Sequence, residues 1–332
     1  MSVSPPSPDR ILQLATGCWA TSIMGSAANL EVFNHLAAGG ATPDELASRA
    51  GISERGARAL LDGLLALELV ELHEGSYRNS PEAAAFLVEG QPGCVSGFAR
   101  FMYADMGSWS SLTEVARTGT PVKDHTADSD ENPMWEALVP AIAALAVPVA
   151  MIAAQALELA QAQEVSILDV GGGSGIYSAI WLGLNPKARS TQLDWESVNA
   201  LARRFVAQYG VSDRFSCING DFHTTDFGSS VYDVAVYSHI AHQESPRDNV
   251  AIFGRFREAL RPGGTLVVSD FIVDHDRSGP QFPLLFASEM LLNTKEGGTW
   301  RRPDYRDWLT EAGFTDITFH ETPTPATLVF AR

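Results

Sequence analysis

Cysteine is scarce in this chain. The three that occur, Cys18, Cys94 and Cys217, lie far apart in 332 residues. They form neither a disulfide framework nor a zinc spacing, which points to a reducing, cytoplasmic compartment. Positive charge is also in short supply, with 23 lysines and arginines against 40 aspartates and glutamates, a formal net charge of −17. Nucleic-acid binding draws much of its affinity from basic groups that neutralise phosphates, so this balance excludes nucleic acid as the expected partner. The first ten residues, MSVSPPSPDR, lack an apolar signal core and read as a loose leader. Long hydrophobic runs are nearly missing. The exception, Ala137 to Ala154, is uncharged and just long enough to span a bilayer. It is rich in alanine, contains Pro140 and Pro148 and has no basic flank, which suits a buried helix linking two domains better than a membrane span.

What is present is a chain 45% hydrophobic, long enough for two domains with sizeable cores. The stretch VSILDVGGGSGIYSAIWLGLNP, from Val165 to Pro186, reads as a buried strand, a glycine turn and a helix stopped by Asn185 and Pro186. A dinucleotide fingerprint would need a third glycine where Ile176 stands. The spacing that fits is D-x-G-x-G-x-G, running through Asp169, Gly171, Gly173 and Gly175. It places a carboxylate at the strand end, facing the ligand crevice, where it would repel a pyrophosphate and suit an ammonium and a sulfonium. A second strand ends at Asp194, with Trp195 beside it; an acid there can accept hydrogen bonds from both ribose hydroxyls. A third is followed by Asp221 and Phe222, suited to an adenine amino group and ring, and the fourth ends at Ser238.

Further strands are expected near 165–170, 190–194, 215–218, 232–237 and 264–270, with TDITFHE and ATLVFA as a terminal hairpin. The segments LDVGGGSG, LDWESV, NGDFH and EALRPGGTLVVSDFI resemble class I S-adenosylmethionine-dependent methyltransferases. The whole chain resembles the small-molecule O-methyltransferases with an N-terminal winged-helix dimerisation domain, a family of plant phenolic and bacterial natural-product enzymes. The resemblance implies an α/β fold, a Rossmann-like doubly wound sheet behind a mainly helical first domain. It implies S-adenosylmethionine as cofactor, held by Asp169, Gly171, Gly173, Asp194, Asp221 and Phe222, and S-adenosylhomocysteine as product; Gly175, Trp195 and Ser238 are expected beside them.

Domains are expected at 1–125 and 126–332, with a linking helix near 132–163. TPDELASRAGISERGARALLDGLLALELVELHEGSYRNS reads as helix, turn, helix and a small wing around Gly75. Many such domains bind DNA, but up to Leu145 there are 8 basic and 18 acidic residues. The helix from Glu54 to Leu67 sets only Arg55 and Arg58 against Glu54 and Asp62, so a transcriptional regulator is the weaker reading. The resemblance instead implies a homodimer, with Trp19, Ile23, Met24 and Leu30 at its interface or in the domain's own core.

Methyl transfer from a sulfonium asks the protein to place the acceptor and exclude water. A phenol or enol must also lose a proton, which calls for a general base. VYSHIAHQESP follows the fourth strand and offers His239 and His242. The family's histidine segment aligns on His242 as the base. The family's next acid is Gln243 here, and Trp300 stands near its helper glutamate, so no carboxylate to orient His242 is evident. Glu244 or a backbone carbonyl could take that part. An apolar acceptor pocket is expected from Phe98, Phe101, Met102, Met106, Trp109, Phe282, Phe286, Met290 and Trp300, with Asn293 and Glu289 as polar anchors. No metal site is expected. Carbon or nitrogen methylation by proximity, and a cofactor-binding protein without turnover, are the alternatives.

Overall fold

A computed structural model describes residues 6–122 and 134–332. The chain forms two compact units, Met1–Gly107 with Pro140–Ala144, and Ser108–Val139 with Leu145–Arg332. The expected boundary at 125/126 lies outside the described residues.

The first unit begins with α1 (Asp9–Ala15), so Asp9 and Arg10 are helical where the sequence reads as leader. It continues through α2 (Gly17–Asn29), α3 (Val32–Ala37), α4 (Pro43–Ala50) and α5 (Glu54–Ala66). Local chemistry sets these ends. Thr42 and Glu45 form a reciprocal capping box ahead of Pro43, and Ser53 caps α5 by accepting from the Gly56 N–H. Strands β1 (Val70–His73) and β2 (Ser76–Asn79) pair antiparallel around the left-handed Gly75, as a two-stranded wing. Helices α6 (Pro81–Phe86) and most of α7 (Ser96–Trp109) complete the unit. Phe33, Leu36, Leu46, Leu61 and Leu64 form its core. Ile23 and Leu30 pack against that core, whereas Trp19 is 65% exposed and joins exposed Ile11, Leu12 and Leu14 on α1 and α2.

The second unit adds α8 (Leu112–Thr118) and takes most of α9 (Met134–Ala156). Among the described residues α9 is the one helix long and apolar enough to cross a membrane. Its Val149, Ala150, Ala153 and Ala154 are buried in a protein core, and Trp181 Nε1 donates to the Ala150 carbonyl at 2.8 Å. Strands β3 (Ser166–Val170), β4 (Arg189–Asp194), β5 (Phe215–Asn219), β6 (Tyr232–Ser238), β7 (Leu260–Asp270), β8 (Ile317–Glu321) and β9 (Thr327–Ala331) form one sheet in the order β5-β4-β3-β6-β7-β9-β8. The first five are parallel; β9 runs antiparallel to β7 and to β8. Strand β7 starts earlier than 264. Leu260 already pairs with Tyr232, and the Pro-Gly-Gly segment is an irregularity inside the strand rather than a turn before it.

Helices α10 (Ile176–Leu184) and α11 (Glu196–Gln208) follow β3 and β4; α12 (Pro246–Ala259), α13 (Gln281–Asn293) and α14 (Arg302–Glu311) follow later strands. Two cores flank the sheet. Ile167, Val234 and Val267 face α9 and α10, whereas Leu168, Ala235 and Val268 face α12 and α14. The alternation is that of strands buried on both sides. Chain direction across the sheet reverses beside β3, so the ligand crevice opens at the carboxyl ends of β3, β4 and β6.

Period two also decides the fate of Asp169, which shares the face of Ile167 and turns under the glycine segment toward α10. It is 1% exposed, and its Oδ2 accepts from Ser178 Oγ at 2.9 Å, with Ser178 in turn 2.8 Å from Ser190 Oγ. Beside it the amides are oriented in series. Asn199 Nδ2 faces only acceptors, the Asp194 and Ile218 carbonyls and Asn219 Oδ1, so Asn199 Oδ1 accepts from Gln192 Nε2 at 3.2 Å. That leaves Gln192 Oε1 and Asp169 Oδ1 both buried and without a donor among the described residues. They crowd one spot: a Cβ on Gly172 would stand 2.6 Å from Gln192 Oε1 and 2.8 Å from Asp169 Cγ. Burial accordingly pushes the Asp169 carboxyl from 3.8 up to about 6, against the pull of the Ser178 hydrogen bonds.

The linkage has a definite sign. Below about pH 4 the carboxyl is protonated folded and unfolded alike and costs nothing. Between the unfolded value and about 6 only the unfolded chain ionises, so stability falls as pH rises, by about 3 kcal/mol in all. Asp169→Asn supplies a donor to Gln192 and keeps an acceptor for Ser178. It should therefore be more stable than wild type in urea titrations at about pH 8 and close to wild type at about pH 4. An equal difference at both pH values would contradict the assignment.

Candidate active site

The turn after β3 is built by backbone. Gly171 adopts φ 65° and donates its N–H to the Leu193 carbonyl; a Cβ there would lie 2.7 Å from Ile240 Cδ1. Gly173, at φ 57°, meets nothing nearer than 3.8 Å, so its face is open to the crevice. Both line a cleft at the carboxyl ends of the strands, whereas Gly175 caps α10 outside it.

The acids divide by location. Asp194 lines the cleft and is anchored there, Oδ2 accepting from the Gly173 N–H at 2.9 Å and Oδ1 from the Trp195 N–H at 2.8 Å. Asp221 accepts from the His223 N–H at 2.8 Å, and the Phe222 ring stacks on His223 with centroids 4.6 Å apart. Trp195, Phe222, Val198 and Ile240 complete an aromatic and apolar wall around these carboxylates. Trp135 lines the same cleft, and its buried indole N–H has no acceptor among the described residues. Asp169 and Ser238 are not among the lining residues. Asp169 lies below the turn, which differs from the crevice-facing carboxylate that the spacing predicts, because strand alternation turns it to the α10 face. The donor set fits an adenosyl group: two acids for hydroxyl and amino groups, rings for the base, and open backbone at Gly173 for a close approach.

At the carboxyl ends of β6 and β7 sits a different arrangement. Residues 241–243 form one helical turn, pinned through the Ala241 carbonyl by Asn249 Nδ2 at 2.9 Å and Trp300 Nε1 at 3.1 Å. The turn buries His242, whose Nδ1 stands 2.6 Å from Asp270 Oδ1 and whose backbone N–H reaches Asp270 Oδ2 at 3.0 Å. Asp270 also accepts from the Phe271 N–H at 2.7 Å and the Tyr305 hydroxyl at 2.9 Å. Burial works against its charge, yet the His242 imidazole, the nearby His239 and the Phe271 N–H hold its carboxyl below the ordinary range. With four donors around its two oxygens, Asp270 is saturated as a partner for an imidazole and has no lone pair aimed at a cation. The ligand atoms of His239, His242 and Asp270 do lie within 4.8 Å of one another, but the cluster is a hydrogen-bonded dyad with a second histidine alongside.

Asp270 is the residue that sequence reasoning missed. The substitutes it offers do other things. Gln243 Nε2 donates to the His239 carbonyl at 3.1 Å, and Glu244 pairs with His223 at 3.4 Å across the cleft wall. Trp300 supports the turn and packs edge-on against Trp308. The signal was available in VVSD, a third acid ending a parallel strand after Asp169 and Asp194.

An aromatic wall adjoins the dyad. Phe286 meets the His242 ring edge-on at 4.9 Å, Phe271 lies near-parallel to it at 6.0 Å, and Phe282 packs on Phe271 at 4.8 Å. Met290 is buried, and Asn293 Nδ2 is bonded to Glu289 Oε1 at 2.9 Å one turn away on α13. Trp109 ends α7 and is half-buried. Phe98, Phe101, Met102 and Met106 lie on α7 in the first unit, where Ser22 Oγ donates to Met106 Sδ at 3.6 Å.

Residues 126–315 match the O-methyltransferase domain family, and residues 12–89 match the O-methyltransferase dimerisation domain. The chain is 33% identical to the 3-hydroxy-5-methyl-1-naphthoate 3-O-methyltransferase of Streptomyces sahachiroi, over 95% of this chain and 93% of that protein. It is also 33% identical to the tetracenomycin polyketide synthesis 8-O-methyl transferase of Streptomyces glaucescens, over 98% and 96%. Human N-acetylserotonin methyltransferase, solved with S-adenosylmethionine, shares the fold at a TM-score of 0.87 and 23% identity, covering 100% of this chain and 99% of that one. The family model spans more than half of the chain, and both Streptomyces relatives are 33% identical over nearly its whole length, so the chain belongs to the S-adenosylmethionine-dependent O-methyltransferases.

Proposed function

We propose that this protein transfers the methyl group of S-adenosylmethionine to a phenolic or enolic hydroxyl of a small, largely apolar natural-product molecule, with His242 as general base. The observation that carries the reading is the 2.6 Å contact between His242 and buried Asp270 beside Phe271 and Phe286. When bound, the cofactor supplies an electrophilic methyl on a sulfonium. Asp194 and Asp221 would hold its adenosyl hydroxyls and amino group, and Phe222 and Trp195 would flank the ring.

The chain's own chemistry is proton handling. The bond to Asp270 places the His242 proton on Nδ1 and leaves the Nε2 lone pair to take the proton of the hydroxyl. The imidazolium that forms is stabilised by the carboxylate, which keeps its own charge. Phe271 and Phe286 set apolar rings against His242, a surface suited to an apolar acceptor. His242→Ala should lower kcat by about 10² to 10⁴, with S-adenosylhomocysteine affinity nearly unchanged in calorimetry. Asp270→Asn should lower kcat in the same direction, whereas Asp194→Ala should weaken S-adenosylhomocysteine. Full turnover by His242→Ala would instead assign the protein to nitrogen or carbon methylation by proximity.

The same reading includes a cytoplasmic homodimer formed through the first unit. Supporting it are the dimerisation-domain match and the exposed strip of Ile11, Leu12, Leu14 and Trp19, apolar surface that a monomer would leave in water. Light scattering should give twice the chain mass, and Leu14→Asp with Trp19→Asp should shift it toward the monomer. A wild-type monomer at micromolar concentration would refute this part.

A further inference from the structure

His239 has no part in the proton transfer just described, yet it is held where a bystander would not be. Its backbone is left-handed, φ 58°, a conformation that side chains other than glycine adopt at a cost and that concentrates at functional sites. Two hydrogen bonds fix it: its N–H donates to the Ser269 carbonyl at 2.8 Å, and its carbonyl accepts from Gln243 Nε2 at 3.1 Å. The ring lies 4.6 Å from Phe271 and 6.1 Å from the His242 ring, against the same phenylalanine that flanks the dyad. Nδ1 is buried with no partner among the described residues.

That vacancy sets the tautomer. A buried N–H without an acceptor is rarer and costlier than an unpaired lone pair, so the proton belongs on Nε2, the more accessible nitrogen of a half-buried ring. Burial, partly countered by Asp270 and reinforced by His242, lowers the ring from 6.5 to about 4, so it is neutral at neutral pH. The two histidines therefore present opposite groups to an acceptor. His242 offers a lone pair at Nε2, and His239 offers an N–H.

We propose that His239 donates a hydrogen bond to a carbonyl oxygen next to the reacting hydroxyl, and so selects aromatic acceptors whose hydroxyl is ortho or peri to a carbonyl. The inference rests on the reading of His242 as base. Its chemical sense lies in the acceptor. A hydroxyl beside a carbonyl holds its proton in an internal hydrogen bond, turned away from any external base. An N–H on the carbonyl oxygen competes with the hydroxyl for that oxygen, weakens the internal bond and lets the hydroxyl turn to face His242. The proton would then move from the hydroxyl oxygen to His242 Nε2, and the freed electron pair on oxygen would form the new bond to the methyl as the methyl–sulfur bond breaks, its pair staying on sulfur to leave the neutral thioether S-adenosylhomocysteine. His239 keeps its own proton throughout.

The test compares 1-hydroxyanthraquinone, whose hydroxyl is peri to a carbonyl, with 2-hydroxyanthraquinone, whose hydroxyl is not. Binding is read by absorbance titration with S-adenosylhomocysteine present, so the result does not depend on turnover. Wild type should bind the 1-isomer about tenfold more tightly, the worth of one hydrogen bond. His239→Asn tolerates the left-handed backbone but falls short of the Nε2 position, and should lose that preference. His239→Gln places an amide N–H near Nε2 and should restore most of it, with S-adenosylhomocysteine affinity unchanged in both variants. Equal binding of the isomers by wild type, no binding of either, or a preference that survives His239→Asn would overturn the proposal. Failure of the base reading is seen separately, as His242→Ala that still methylates 2-hydroxyanthraquinone at the wild-type rate.

Discussion

Asp270 accepts hydrogen bonds from the one-turn helix at 241–243, from the end of β7 and from Tyr305 on α14. A carboxylate with no exposed surface is tolerated only when its lone pairs are filled, and filling them draws three elements to one point. The position of His242 follows from this, since both its backbone and its ring are bound to the same side chain. So does the aromatic surround, because Phe271 is the next residue in the chain. Removing any donor would leave a buried charge short of a partner, so the packing of β7, the turn and α14 is effectively one decision.

The order of strands then separates two jobs. Strands β3, β4 and β5, on one side of the switch, end in the glycine turn and in Asp194 and Asp221, groups suited to a polar, hydroxyl-rich nucleoside. Strands β6 and β7 end in histidines, Asp270 and phenylalanines, groups suited to an apolar acceptor with one labile proton. Because all five strands are parallel, both sets emerge on the same edge of the sheet. Adjacent strands lie about 5 Å apart, so neighbouring strand ends bring donor and acceptor chemistry close without any long-range motion of the core.

Much of this was legible in the sequence, for physical reasons. Buried parallel strands read as apolar runs, and the glycine turn excludes most other structures, so the sheet and α10 could be placed before any coordinates. Asp194, Asp221 and Phe222 follow strand ends directly and line the cleft, as position alone suggests. Asp169 does not, because a strand buried on both faces gives no hint of which face a polar residue takes. The pairing of Asp270 with His242 is not legible in the sequence, because the two lie 28 residues apart and only the fold brings them together. The left-handed backbone at His239 has no sequence signature, since glutamate, serine and arginine residues of this chain adopt it too.

Strand β9 is buried along its whole length and lies between β7 and β8, yet its residues come nearly sixty positions after β7 ends. While the chain emerges from the ribosome, β7 therefore has an open edge on the side that β9 later covers, next to a hydrophobic surface. The strand carrying Asp270 is thus among the last parts of the sheet to be shielded. Incomplete chains that stop short of Thr327 would present a bare, apolar strand ready to pair with a neighbour, and protein quality control has a clear reason to clear them.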